Sequence, residues 1–129
     1  MVIYVNKKLR GGIILKLGEW GETKAANYLI KSGYQIIQRN FRCKLGEIDI
    51  IAFDKEDNSI CFIEVKTRKS LAFGLPKESI NRVKLKHITN SARYYTLINE
   101  IIDTDLRIDV IEIIVENNHK LICHTKNIS

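Results

Sequence analysis

The sequence predicts one α/β domain with the element order αβββαββ, and three observations carry that prediction. Two stretches, 17–31 and 77–98, repeat apolar residues at helical spacing, and five others are rich in β-branched and aromatic residues. A chain of 129 residues with only 7 Gly and 1 Pro leaves little room for linkers, so a single core is expected. Its hydrophobic fraction of 45% and charged fraction of 28% are those of an ordinary globular domain. No internal repeat or low-complexity run divides the chain.

Residues 1–16 alternate apolar and basic patches and are expected to form an N-terminal arm or an added strand, with the domain proper at 17–129. From Leu17 to Lys31, Leu17, Trp20, Ala25, Tyr28 and Leu29 fall on one helical arc, and Gly33 follows as a stop. Three strands are expected next, at Tyr34–Phe41, Glu47–Phe53 and Ile60–Thr67, the last two joined through the polar loop Asp54–Ser59. The stretch Arg68–Leu75 leads to Pro76, a residue suited to a helix N-terminus. A second helix is expected over Lys77–Ile98, with Ile80, Val83, Ile88, Ser91, Ala92, Tyr95 and Ile98 facing inward. Strands at Arg107–Val115 and Leu121–Thr125, joined by the turn Glu116–Lys120, complete the order.

Composition narrows the function classes. The 3 cysteines, Cys43, Cys61 and Cys123, form no CxxC pair, which argues against a zinc site and a disulfide framework and fits a reducing cytoplasm. No run approaches the ~18 apolar residues of a membrane span, and no lipidation signal is present, so no membrane partner is expected. An excess of 21 Lys+Arg over 15 Asp+Glu gives a net charge of +6, which suggests a polyanionic partner.

The chemistry-bearing residues gather in the central hairpin. Side chains two apart in a strand share a face, ~6.5–7 Å apart, so Glu64 and Lys66 project together, as do Glu47, Asp49 and Ile51, with Ile48 and Ile50 opposite. If Phe53 faces Ile60 across the loop, Ile51 faces Phe62 and Asp49 faces Glu64, with Cβ atoms ~4.5–5.5 Å apart. Two carboxylates so close repel unless a cation stands between them, and Mg²⁺ favours such oxygen ligands. Lys66 adds a positive charge beside that position. The plainer reading is a set of surface charges with a Glu64–Lys66 salt bridge; the surrounding Ile48, Ile50, Ile63 and Val65 favour the buried arrangement. Glu22, on the first helix, flanks the apolar arc and either reaches the sheet or complements the helix dipole. Glu19 points further toward solvent.

Gly18-Glu19-Trp20-Gly21-Glu22-Thr23-Lys24-Ala25-Ala26, Asn40-Phe41-Arg42, Gly46-Glu47-Ile48-Asp49, Glu64-Val65-Lys66-Thr67-Arg68, Phe73-Gly74-Leu75-Pro76 and Arg107-Ile108-Asp109-Val110 closely resemble, in this order, the bacterial YraN-like family. That family is similar to the restriction-endonuclease-like superfamily of PD-(D/E)xK nucleases, and especially to archaeal Holliday-junction resolvases. The resemblance spans about residues 16 to 125. It implies a restriction-endonuclease-like mixed β-sheet flanked by helices, with the site on the central hairpin. It also implies that Asp49, Glu64 and the Val65 carbonyl hold Mg²⁺ or Mn²⁺, with Glu22 binding directly or through water. Lys66 then orients the attacking water. Ile48 stands where the superfamily pattern has Pro, which removes no ligand.

Arg42 and Lys44 precede the Asp49 strand, and Arg68 and Lys69 follow the Glu64 strand, so both pairs are expected to grip phosphates at one end of the hairpin. Arg82, Lys84, Lys86 and Arg93 add charge on the second helix, and Lys7, Lys8 and Arg10 on the arm. The resulting expectation is a metal-dependent nuclease acting on DNA in preference to RNA, at branched structures by the resolvase resemblance. Symmetric cutting of a junction further implies a homodimer. The alternatives are a nucleic-acid-binding module with little or no catalysis and an interaction protein whose acidic cluster is structural.

Overall fold

In the computed structural model, residues 13–69 and 80–128 are described, with side chains for 17–69 and 80–128. The elements are α1 (Ile13–Lys31), β1 (Tyr34–Cys43), β2 (Gly46–Asp54), β3 (Ser59–Arg68), α2 (Arg82–Ile98), β4 (Asp105–Glu116) and β5 (His119–Thr125). This is the expected αβββαββ order. The strands form one five-stranded mixed sheet in the order β1-β2-β3-β4-β5, consistent with a restriction-endonuclease-like fold. Only the β3–β4 pair is parallel. The connection between those two strands is the one that contains α2, as a parallel pair requires a long crossover.

Each helix covers one face of the sheet. Ala25, Ala26 and Leu29 of α1 pack on Ile50, Cys61, Ile63, Ile111 and Ile113. Ala92 and Tyr95 of α2 pack on Phe41, Ile48, Ile51 and Phe62. Strand β4 is buried from Arg107 to Val115, which explains its near-continuous apolar sequence.

Both helix starts differ from expectation. Helix α1 begins at Ile13, so residues 13–16, assigned to the arm, are helical; helix-forming residues run unbroken from Ile13 to Leu17. The rest of the arm, including Lys7, Lys8 and Arg10, lies outside the described residues. Helix α2 begins at Arg82 because Asn81 caps it: the Lys84 amide N–H donates to Asn81 Oδ1 at 2.8 Å. Pro76 and Lys77 lie outside the described residues. The inward stripe of α2 holds Ile88, Ser91 and Tyr95, which extends back to Lys84. Val83, one residue off that stripe, is 64% exposed, and Ile98, the last helical residue, is 51% exposed.

The loops follow turn chemistry. Gly33, at φ 92°, ends α1 in the left-handed region. Asn117 and Asn118, at φ 50° and 65°, make the tight turn between β4 and β5.

Candidate active site

The hairpin register agrees with the sequence reading: Phe53 pairs with Ile60 and Ile51 with Phe62. The ladder stops at Ile50–Ile63, one position short of Asp49 and Glu64. There the Asp49 side chain replaces the missing strand partner, accepting the Val65 N–H at Oδ2 over 2.8 Å.

The facing of β2 differs from the expectation. Ile50 and Ala52 pack toward α1, but Ile48 packs with Ile51 toward α2. The alternation therefore breaks at Asp49. The neighbouring strand breaks at the same level: Arg39 donates to Thr23 of α1 at 3.2 Å, whereas Phe41 packs toward α2. Between them Asn40 has φ 56°, in the left-handed region. Both strands thus depart from strict alternation at the level of the Asp49 carboxylate.

The Asp49 and Glu64 side chains come close enough for each to perturb the other's carboxyl. Glu64 is buried on the α2 side, at 4% exposure. Burial first, and the Asp49 charge second, push its carboxyl up to about 7. Asp49 is raised too, chiefly by burial, although the Val65 N–H favours its ionised form. The cation that meets this pair comes from α2, with Lys84 Nζ 3.3 Å from Glu64 Oε2. The sequence reading placed Lys66 beside this pair as a further positive charge and gave Lys84 only a place among the basic residues of the second helix. Strand alternation puts Lys66 on the Glu64 side, half-buried, and among the described residues it forms no ion pair.

Glu22 does not join the pair. Its Oε1 lies 3.9 Å from Arg39 Nη2, and the Asn40 side chain lies near enough to favour its ionised form. It still feels the site, since burial and then the Asp49 charge raise its carboxyl. Glu22, Thr23, Arg39, Asn40 and Arg42 line an open cleft of about 800 Å³ between α1 and β1. Among the described residues no group of three or more His, Cys, Asp and Glu side chains is arranged to hold a metal. Two converging carboxylates still suit a hydrated Mg²⁺, which binds through one or two carboxylates and keeps its waters. They do not suit a cation held wholly by protein.

The flanking basic residues divide. Arg42 is exposed and pairs loosely with Glu47 at 3.5 Å, and Lys44 and Lys69 are exposed. Arg68 is held differently: its Nε lies 2.6 Å from the buried Glu112 Oε2, and its side chain is only 17% exposed. It braces β4 in place of standing open for a phosphate.

A buried polar network at the other end of the sheet escaped the sequence reading. Arg107 donates to both Asp109 oxygens, to Asp54 and Asp57, and to the Tyr34 hydroxyl. His124 bridges Asp109 at 2.8 Å and Tyr28 at 2.9 Å. An alternating Arg-x-Asp in an apolar strand was its only sequence signal, and the distant Asp54 and His124 gave none.

The model of the uncharacterised protein family UPF0102 matches residues 21–113, which include Asp49, Glu64, Lys66 and Lys84. The chain belongs to the UPF0102 family. It is 50% identical to a UPF0102 protein of Caldicellulosiruptor bescii over 107 residues, covering 82% of this chain and 88% of the relative. It is 52% identical to one of Clostridium botulinum over 101 residues, covering 77% and 80%. A Clostridium novyi UPF0102 protein is 44% identical over 99 residues, covering 77% and 81%. Most of the UPF0102 domain's length is thus shared. Among the described residues no helix is long and apolar enough to cross a membrane.

Proposed function

We propose that this UPF0102 protein is a metal-dependent nuclease that hydrolyses DNA phosphodiesters. The observation that carries the reading is the convergence of Asp49 and Glu64 at the open end of the hairpin, where burial raises both carboxyls and the Asp49 charge raises Glu64 further. Holding both carboxylates ionised is costly there, and a divalent cation relieves that cost. Bound Mg²⁺ or Mn²⁺ supplies Lewis-acid stabilisation of the charge that develops on the phosphate.

Asp49 and Glu64, with the Val65 carbonyl, hold the cation, and Glu22 reaches it through water. Lys66, on the Glu64 side of β3, orients the attacking water and stabilises developing negative charge. Arg42, Lys44 and Lys69 draw the phosphate backbone to this end of the sheet, giving affinity without base readout. The resolvase resemblance favours branched DNA as substrate and a homodimer as the cutting unit, and the cysteine usage fits the cytoplasm as the location.

Incubation of the purified protein with labelled linear, flapped and four-way DNA, in Mg²⁺, Mn²⁺ or EDTA, tests the reading. Metal-dependent cleavage that Lys66→Ala reduces by at least ~100-fold is the expected outcome. Salt-sensitive binding without cleavage in either metal favours a second reading, a nucleic-acid-binding module with little catalysis. One observation supports that alternative: Glu22 stays with Arg39 and does not complete a three-carboxylate cluster.

A further inference from the structure

We infer that Lys84 is a place-holding cation, seated on the Asp49–Glu64 pair when no metal is bound and displaced when a divalent cation enters; the inference rests on the nuclease reading of that pair. Lys84 stands in the first turn of α2, directly after the Asn81 cap. The positive end of a helix dipole disfavours a lysine there, and this turn carries no acidic residue to offset it. The helix pattern disfavours it as well, because Lys84 occupies the inward position four residues before Ile88, on the stripe continued by Ser91 and Tyr95. Local helix energetics therefore do not account for a lysine at this position. The contact that does is tertiary: Nζ lies 3.3 Å from Glu64 Oε2, a side chain only 5% exposed.

The same geometry makes the contact exchangeable. The Lys84 side chain is 35% exposed, so its long stem has a route back to water. A divalent cation bound between Asp49 and Glu64 would stand within a few ångströms of the ammonium. At such separations in a partly buried setting, repulsion outweighs what one carboxylate–ammonium contact contributes. Cation and lysine compete for the same oxygens. Lys66 is differently placed: it shares the Glu64 side of the strand but forms no ion pair among the described residues, so a metal need not displace it.

Calorimetric titration of Mn²⁺ into the whole protein, without nucleic acid, tests the exchange. Lys84→Met keeps the apolar stem and removes the competitor, and it is expected to bind Mn²⁺ roughly tenfold more tightly than the wild type. Glu64→Gln serves as the control that loses binding. Should Lys84→Met fail to fold, mass-spectrometric footprinting of the wild type with an amine-acylating reagent decides. Labelling of Lys84, relative to the exposed Lys86, is expected to rise severalfold on adding Mn²⁺. Equal Mn²⁺ affinities with unchanged Lys84 labelling would overturn the exchange and leave the metal site standing. A wild type that binds no Mn²⁺ overturns both.

Discussion

Glu64 shows how one residue reports on what a site is built to hold. Its carboxyl sits near 7, against 4.5 for the free side chain, because burial and Asp49 together disfavour the charge. The folded protein therefore binds this proton more tightly than the unfolded chain does. Stability from this source is present below about 4.5 and is lost as pH rises through about 7. In EDTA, the wild-type melting temperature is expected to fall between pH 5 and pH 8, and Glu64→Gln to flatten that fall. Scanning fluorimetry across the range checks it, and an equally steep decline in the variant would contradict the assignment. Asp54 and Asp109 behave oppositely. Although burial alone would raise both carboxyls, bonds to Arg107 and, for Asp109, to His124 hold them below the ordinary 3.8. Their contribution is present above 3.8 and fades only in acid, outside that window. Arg107 is the keystone of this second group, since Arg107→Met removes the guanidinium that bonds to both buried carboxylates. A loss of about 3–5 kcal/mol in urea unfolding is expected, as for other buried pairs deprived of one partner.

At the scale of elements, the close approach of α1 to β3 fixes where Glu22 stands relative to the hairpin. Gly21 permits that approach: a Cβ there would collide with Thr67 Oγ1. Gly21→Ala is expected to cost about 1–3 kcal/mol, as overpacking does, and Thr67→Ala in the same chain to recover part of it. A double-mutant cycle by chemical denaturation measures the coupling, and simple additivity of the two changes would rule the contact out as the cause. The elements also show which signals the sequence carries. The β2–β3 register was legible because Phe53, Ile51, Ile60 and Phe62 alternate on one face of a short hairpin. The face switch at Asp49 was not, because it comes with irregularities in the neighbouring β1, the left-handed Asn40 and a register shift between Ile36 and Gln38, that no periodicity announces. The start of α2 was misread through Pro76, although Asn81, three residues before Lys84, carried the usual cap signal.

For the molecule as a whole, the charge of +6 gains meaning from its arrangement. Arg42, Lys44 and Lys69 lie exposed at the end of the sheet that carries the carboxylates, while Arg68 and Arg107 are occupied internally. Binding to nucleic acid is therefore expected to be electrostatic and steeply salt-dependent. Anisotropy titrations on duplex and four-way DNA in EDTA are expected to show affinity falling by at least ~10-fold between about 50 and 200 mM salt. Lys44→Ala with Lys69→Ala is expected to reduce the slope by about 2. A salt-independent affinity would point to a different kind of partner.

Element order, hairpin register and the identity of the two carboxylates that meet all follow from apolar periodicity and from neighbours close along the chain. Which cation faces those carboxylates, the pairing of Glu22 with Arg39, and the inward service of Arg68 and Arg107 emerge only in the folded chain. Those outcomes depend on contacts between residues 17 to 53 positions apart, such as Glu22 with Arg39, Glu64 with Lys84 and Asp54 with Arg107. Periodicity within an element fixes which face a side chain occupies. It carries no information about which charge another element brings to that face.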